Sequence, residues 1–241
     1  MSAPVWTITG KSGAATVSIE LKDGQTIKGQ KDSLITMSGA VAVASKMDVG
    51  LAPGLARQFF GAESLFVTTL TSSGDGTAVF GGKNAVPSGL PIIGSPGNPT
   101  FGDIELIEVT EDEPLCLSKG AFMASAEDVL ITAAPQGLKQ GFLGGAGFFV
   151  LRADGVGTLA IGSPGSILAF DLGEGETRGV DAGHVCAWSA KLVYDVRYIG
   201  QKPAEERSNL DNFGIYLKKT FLSQTGLMCY FTGPGKVWVR G

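Results

Sequence analysis

The sequence predicts an all-β protein made of three pseudo-equivalent antiparallel β units, which form one barrel or sandwich body with pseudo-threefold symmetry. Three observations lead to this prediction: short segments rich in β-branched and aromatic residues, glycine turns between them, and motifs that occur three times. The chain has 241 residues and 36 glycines, many of them in turn sequences such as GDG, GVG and GPG. One unit alone has too few strands to bury both faces of its sheet, so we expect the three units to share a core.

The first half of each unit contains an apolar strand, a polar or acidic turn, and two strands that meet at a bend of small residues. The strand and turn are VSIELKDGQ in the first copy, IELIEVTEDE in the second and ILAFDLGEGE in the third. The bend segments align without gaps, so that Met37, Ser125 and Trp188 occupy corresponding positions. The matching order of these segments predicts the same strand arrangement in all three copies.

The second half of each unit is a glycine-containing apolar turn, a strand and a paired-glycine turn. Its three copies span Gly54–Gly76, Gly137–Gly157 and Leu217–Gly235. Together the two halves predict repeat units at about 14–81, 103–162 and 166–241, within a single structural body that spans 1–241. Insertions map to surface loops, so we expect an irregular crossover between the first two units at Gly81–Gly102 and a highly charged loop with room for a short helical turn at about 200–216.

Charge and cysteine usage restrict the partner and the compartment. The formal net charge is −4 and the pI is about 5.1, which argues against nucleic acid because phosphate binding needs a clustered basic face. The three cysteines, Cys116, Cys186 and Cys229, lie far apart in apolar runs, so we expect buried thiols in a reducing compartment. No signal or transit peptide and no run long enough to span a membrane is visible, which favours a cytoplasmic protein.

Few residues point to chemistry. His184 is the sole histidine and Asp181 is close to it in sequence, so a hydrolase centred on His184 is one hypothesis. A triad also needs a nucleophile, and a histidine bonded locally at the start of a strand is the favoured interpretation. Solvated turns are favoured over a cation site for the acidic segments Glu108–Glu113 and Asp171–Glu176, since neither has the D-x-D-x-D-G pattern. We therefore assign no catalytic, cofactor-binding or metal-binding residues and expect no cofactor.

One recurring pattern exceeds what strand building requires, because basic residues precede a bulky apolar pair at three equivalent turns. If these tips share one exposed face, they predict a surface for self-association, for a protein partner or for a peripheral membrane surface. If they close the end of the core instead, the cations extend outward to solvent. The residues of this candidate interaction face are Arg57, Phe59, Phe60, Lys139, Phe142, Leu143, Lys218, Lys219, Phe221 and Leu222.

These motifs together resemble a known family. The resemblance is carried by the Met37-Ser38-Gly39 bend and by GLARQFFGAESLF, GLKQGFLGGAGFF, VDAGHVCAW and FTGPGKVWV, in that order. They are similar to the altered-inheritance-of-mitochondria (mitochondrial biogenesis AIM-type) family of bacterial, archaeal, fungal and plant proteins. The resemblance implies a fold like that of the tryptophan RNA-binding attenuation protein, no agreed enzymatic activity, and, for eukaryotic members, an association with mitochondrial inner-membrane organisation.

The sequence thus predicts a non-enzymatic β-scaffold or interaction protein that forms a homo-oligomer, because exposed sheet edges need cover and subunit pairing supplies it. A role in membrane-associated or mitochondrial organisation is implied by the family resemblance. The alternative is a small-molecule or lipid binding module with a cavity between the repeat units. Neither hypothesis includes nucleic acid as a partner.

Overall fold

A computed structural model describes residues 2–10, 15–30, 33–45, 67–82, 84–85, 98–99, 102–118, 120–134, 150–199 and 227–241. Most of these residues are in strands, and Ala182–His184 form a short 3-10 segment. The predicted all-β class is confirmed. The barrel alternative is wrong for the described residues, because their strands form several open sheets rather than one sheet that closes on itself.

The strands are grouped by the repeat that contains them. Before and within the first unit they are β1 (Val5–Thr9), β2 (Thr16–Leu21), β3 (Thr26–Gln30), β4 (Leu34–Met37), β5 (Val41–Ser45), β6 (Val67–Ser72) and β7 (Gly76–Gly81). Two short strands, β8 (Asn84–Ala85) and β9 (Asn98–Pro99), pair between the first and second units. The second unit contains β10 (Asp103–Val109), β11 (Leu115–Ser118), β12 (Phe122–Ala126), β13 (Val129–Ala134), β14 (Val150–Gly155) and β15 (Gly157–Ser163). The third contains β16 (Ile167–Leu172), β17 (Thr177–Asp181), β18 (Val185–Ser189), β19 (Val193–Tyr198), β20 (Leu227–Thr232) and β21 (Gly235–Arg240).

Each unit contains the same two sets of three antiparallel strands, and β1 adds a fourth strand to the first set of the first unit by pairing with β2. The first sheet is β2-β7-β4, β10-β15-β12 or β16-β21-β18 in the successive units. The second sheet is β3-β6-β5, β11-β14-β13 or β17-β20-β19. Alternate residues along a strand form its buried face. In β2, for example, Val17, Ile19 and Leu21 are buried and the residues between them are not. Side chains of successive strand residues point to opposite faces, so a period of two buries one face.

The same irregularity occurs in the third strand of every first sheet. The register shifts between Leu34 and Thr36 in β4, and between Phe122 and Ala124 in β12. An equivalent shift occurs between Val185 and Ala187 in β18. A bulge bends its strand and increases the local twist, so each of these strands turns away from its sheet at the same point.

The units are joined by strand pairing. Strand β12 of the second unit pairs with β3 of the first, and β18 of the third pairs with β11 of the second. Each pairing fuses a first sheet with the preceding unit's second sheet, which gives two six-stranded sheets. Because β18 lies between β11 and β21, all of its residues, Val185–Ser189, are buried.

The core follows the junctions between units. One buried cluster combines second-unit residues such as Leu117 and Leu159 with Cys186 and Trp238 of the third unit. The cluster of the first unit includes Met123 from β12 of the second unit. Burial of apolar surface contributes roughly 25 cal/mol per Å², so clusters that cross unit boundaries stabilise the arrangement of the units as well as each unit.

The junctions between units predict that alanine substitutions at corresponding positions lower the free energy of unfolding by different amounts. Trp188 is buried and its ring lies 5.6 Å from the Tyr194 ring and 5.5 Å from the Phe231 ring. We expect Trp188→Ala to lower the free energy of unfolding by about 3–5 kcal/mol, because it leaves a cavity. The corresponding Met37→Ala should cost about 0.5 kcal/mol or less, since Met37 is exposed. Urea denaturation measures both, and similar losses for the two variants would contradict the arrangement.

Candidate functional site

The open edge of β4 differs from its counterparts in the other units. Strands β12 and β18 are each covered on this side by a strand of the preceding unit, whereas β4 pairs only with β7 among the described strands. Met37 is 41% exposed, while the corresponding Ser125 and Trp188 are 0% and 1% exposed. The same surface is therefore core in two units and open in the first.

Ile35 adds a second apolar side chain to this edge. It lies at the bulge of β4 and is 58% exposed. At the bulge of the other two units, Met123 is 4% exposed and Cys186 is 0% exposed. We name Leu34–Met37 the β4 edge; it contains no charged residue and no proline, which are common devices that protect an edge strand from pairing.

The complementary open edge is β17, in the third unit. Its counterparts β3 and β11 each pair with a first-sheet strand of the next unit, whereas β17 pairs only with β20 among the described strands. We name Thr177–Asp181 the β17 edge. It exposes Gly179, and the Arg178 guanidinium lies 4.0 Å from the centre of the Phe170 ring in its own unit. A cation held against a ring is stabilised there, so Arg178 is engaged with its own unit.

The two internal junctions share one register. At the first, Ser125 lies opposite Lys28, and at the second, Trp188 lies opposite Cys116. Lys28 and Cys116 hold the same place in the repeat, three residues after Gln25 and Glu113 respectively. Since register fixes which face each side chain occupies, the shared register means that every junction is built from the same pair of surfaces.

His184 is placed in an exposed turn rather than in a cleft. Its Nδ1 lies 3.2 Å from Oδ1 of Asp181, and the same oxygen accepts a hydrogen bond from the Gly183 amide at 2.9 Å. Asp181 thus caps the 3-10 turn that precedes β18. This is the local arrangement that the sequence favoured for His184, and the described contacts give Asp181 a structural role.

The three cysteines are free and buried, as predicted. Burial raises the pKa of Cys116 and of Cys186 to about 11, and that of Cys229 to about 12. The nucleophile and metal ligand is the thiolate, so these thiols are unreactive at neutral pH.

The acidic turns use their carboxylates locally. The Glu176 carboxylate accepts a hydrogen bond from the Gly173 amide at 3.0 Å, and Glu108 accepts one from the Thr158 hydroxyl at 2.8 Å. Lys236 lies 3.2 Å from Asp171. In the part of the chain that the structure describes, no three His, Cys, Asp or Glu residues are grouped to hold a metal ion.

A small cavity lies where the first unit meets the second. Its volume is about 110 Å³, and its lining includes Ser33 of the first unit with Asp103 and Phe122 of the second. The Asp103 carboxylate accepts hydrogen bonds from the Ile104 and Ile167 amides at 3.0 and 3.3 Å. Sites for small molecules commonly occupy about 300–1,000 Å³, so this cavity is smaller than a typical small-molecule site.

The predicted interaction face at the apolar tips lies outside the described residues. This holds for all ten of its members: Arg57, Phe59, Phe60, Lys139, Phe142, Leu143, Lys218, Lys219, Phe221 and Leu222. The β4 and β17 edges were not identified from the sequence. The number of repeats was a signal for these edges. Three units in succession make two junctions, so one first sheet and one second sheet are left without a partner sheet from another unit.

These features define an all-β repeat protein in which two complementary edges, β4 and β17, pair only within their own unit among the described strands. The family model described as "Mitochondrial biogenesis AIM24" matches residues 6–241, and the chain belongs to this family. An uncharacterized protein of Streptococcus pyogenes serotype M6 is 30% identical over 232 residues, which cover 93% of this chain and 80% of that protein.

A solved structure supports the fold. The X-ray crystal structure of another Streptococcus pyogenes protein is 25% identical, with a TM-score of 0.66 over 99% of this chain and 93% of that one. The expected likeness to the tryptophan RNA-binding attenuation protein is not tested by this neighbour and stays a prediction. Among the described residues, no helix is long and apolar enough to cross a membrane.

The buried thiols predict a loss of stability at alkaline pH. In the unfolded chain a thiol ionises near pH ~8.5, whereas burial delays ionisation of Cys229 to about pH 12. The stabilising contribution is therefore complete below about pH 8.5 and is lost as pH rises toward 12, by up to ~1.4 kcal/mol per pH unit for each thiol. Urea denaturation between pH 8 and 11 should show a shallower decline for Cys229→Ala than for the unmodified chain. Equal slopes would contradict the assignment.

Proposed function

We propose that this protein is a non-enzymatic scaffold that binds another protein chain by accepting a strand on the β4 edge. The observation that carries the proposal is the exposure of Ile35 and Met37 at positions whose counterparts are buried by strand pairing. A strand added here would have the same kind of partner surface that β12 and β18 already offer to β3 and β11.

Strand addition also suits the chemistry of this edge. Backbone N–H and C=O groups along an open edge supply affinity, and side-chain pockets supply specificity. Ile35 and Met37 lose contact with water when a strand covers them, which contributes roughly 25 cal/mol per Å² of apolar surface. The absence of charge and proline from Leu34–Met37 leaves the edge open to a partner.

The non-enzymatic part of the proposal is supported by the titratable groups. The described cysteines have pKa values raised by burial, and the Asp181–His184 pair belongs to an exposed capping turn. Catalytic thiols usually have lowered pKa values and lie within reach of a base. A carboxylate that caps a turn through Oδ1 contributes to local structure.

The alternative, a binding module for a small molecule or lipid, is supported by the cavity between the first and second units. Its volume of about 110 Å³ fits a few water molecules or a very small ligand. A lipid chain needs considerably more space, so this cavity supports the small-molecule form of the alternative and not the lipid form.

We infer a cytoplasmic location, since three free buried thiols suit a reducing compartment. The family description connects such proteins with mitochondria, so a role in mitochondrial or membrane-associated organisation is part of the proposal for a eukaryotic host. Fractionation of cells that express the chain at native level should place it in the cytosol, with any membrane-bound share released by high salt. A share that resists salt and carbonate would contradict a peripheral association.

The β4 edge predicts a set of partners that depends on two side chains. Affinity capture from source cells should be done with the unmodified chain, with Ile35→Lys/Met37→Lys, and with Val43→Lys. Val43 is 43% exposed on β5, a strand whose counterparts β13 and β19 are open edges as well, so it is a matched control.

We expect quantitative mass spectrometry to show proteins that are depleted at least tenfold with the double variant and retained with Val43→Lys. Charges on an edge strand oppose pairing with another strand. If all three baits capture the same proteins in the same amounts, the β4 edge is not the binding surface and the proposal fails.

A further inference from the structure

We propose that the strand accepted by the β4 edge is β17 of a second copy of this chain, which makes the protein a head-to-tail assembly. This inference rests on the proposed function, because it names the partner of the same edge. It begins from the two junctions inside the chain, each formed by a first-sheet strand and a second-sheet strand of the preceding unit.

The third junction of this kind is missing within the described chain. Its first-sheet member would be β4 and its second-sheet member would be β17. In the other units, the strands that correspond to β4 and β17 each pair with a strand of a neighbouring unit. The chain's own β17 does not cover β4, since Ile35 and Met37 stay exposed with β17 in place. The surface that is complementary to each edge therefore exists on another copy.

The repeat also predicts the register of this contact. Met37 corresponds to Ser125 and Trp188, which lie opposite Lys28 and Cys116. Gly179 holds the place of Lys28 and Cys116, because it lies three residues after Glu176 as they do after Gln25 and Glu113. Met37 of one copy is thus expected opposite Gly179 of the next, in an antiparallel pair.

Side chains at the β17 edge are compatible with this contact. The exposed Gly179 has no side chain to obstruct Met37. A positively charged side chain beside a junction is compatible with strand pairing. At the first internal junction, the Lys28 ammonium donates a hydrogen bond to the Val129 carbonyl at 3.3 Å. Two different surfaces meet in this contact, so the assembly is heterologous and grows into a ring or a filament.

The first test measures the mass of the purified protein by sedimentation over a wide range of concentration. The unmodified chain and Val43→Lys are expected to sediment well above 24.9 kDa, the mass of one chain. Ile35→Lys/Met37→Lys should shift to the mass of one chain while its circular dichroism and melting stay close to normal. An assembly that survives the double substitution, or is lost equally with Val43→Lys, would overturn the inference.

The second test uses disulfide capture and does not depend on the lysine variants. A Met37→Cys chain is mixed with a tagged Gly179→Cys chain under mild oxidation, and Val43→Cys replaces Met37→Cys in the control. A Cβ at Gly179 would lie 3.0 Å from the Tyr230 ring, a contact that a small ring movement relieves. We expect a mixed dimer at least tenfold more abundant with Met37→Cys than with Val43→Cys.

The outcomes separate this inference from the proposed function. A chain that stays at 24.9 kDa at every concentration and forms no mixed dimer overturns the second copy as the partner. The scaffold proposal still stands in that case if affinity capture depends on Ile35 and Met37. An intrachain disulfide in Met37→Cys/Gly179→Cys, without mixed dimers, would overturn assembly in favour of closure within one chain.

Discussion

Antiparallel strand pairing joins each unit to the next and sets how the units are arranged. Strands β12 and β18 continue the second sheet of the preceding unit through backbone hydrogen bonds. These bonds fix both the distance and the register between units, because the hydrogen-bonding groups of a strand are regularly spaced. The buried clusters follow from this, since residues of two units then face the same interior.

The same interaction accounts for the two open edges. Three units in succession form two junctions. One first-sheet strand, β4, and one second-sheet strand, β17, therefore have no pairing partner from another unit among the described strands. Unpaired backbone groups at an edge are satisfied by water, so the edges do not prevent folding. Water does not compensate the apolar side chains of Ile35 and Met37 in this way, because exposure of apolar surface to water is unfavourable. A strand that covered these side chains would remove that exposure.

Several polar side chains and thiols in the described part of the chain have structural roles. Asp181 caps a turn beside the sole histidine, and the three thiols are part of buried clusters. Carboxylates of the acidic turns, for which the sequence favoured solvated turns over a cation site, contact an amide, a hydroxyl and a lysine of the same region.

The all-β class, the strand segments and the correspondence among the copies follow from local sequence patterns. Alternation and turn glycines are local signals, and the aligned bends placed Met37, Ser125 and Trp188 at one structural position, the third strand of each first sheet. The family was recognisable for the same reason, since its motifs are strings of neighbouring residues.

The difference in burial between these corresponding residues arises from the packing of the units against one another. Met37 is exposed and Trp188 is buried, although both occupy the same strand position. The difference arises because a strand from another unit lies beside β18 and none of the described strands lies beside the outer edge of β4. Local sequence encodes which strand forms, whereas the burial of that strand depends on a neighbour that is distant along the chain. For this reason the sequence predicted the apolar tips as an interaction face and did not predict the open edges.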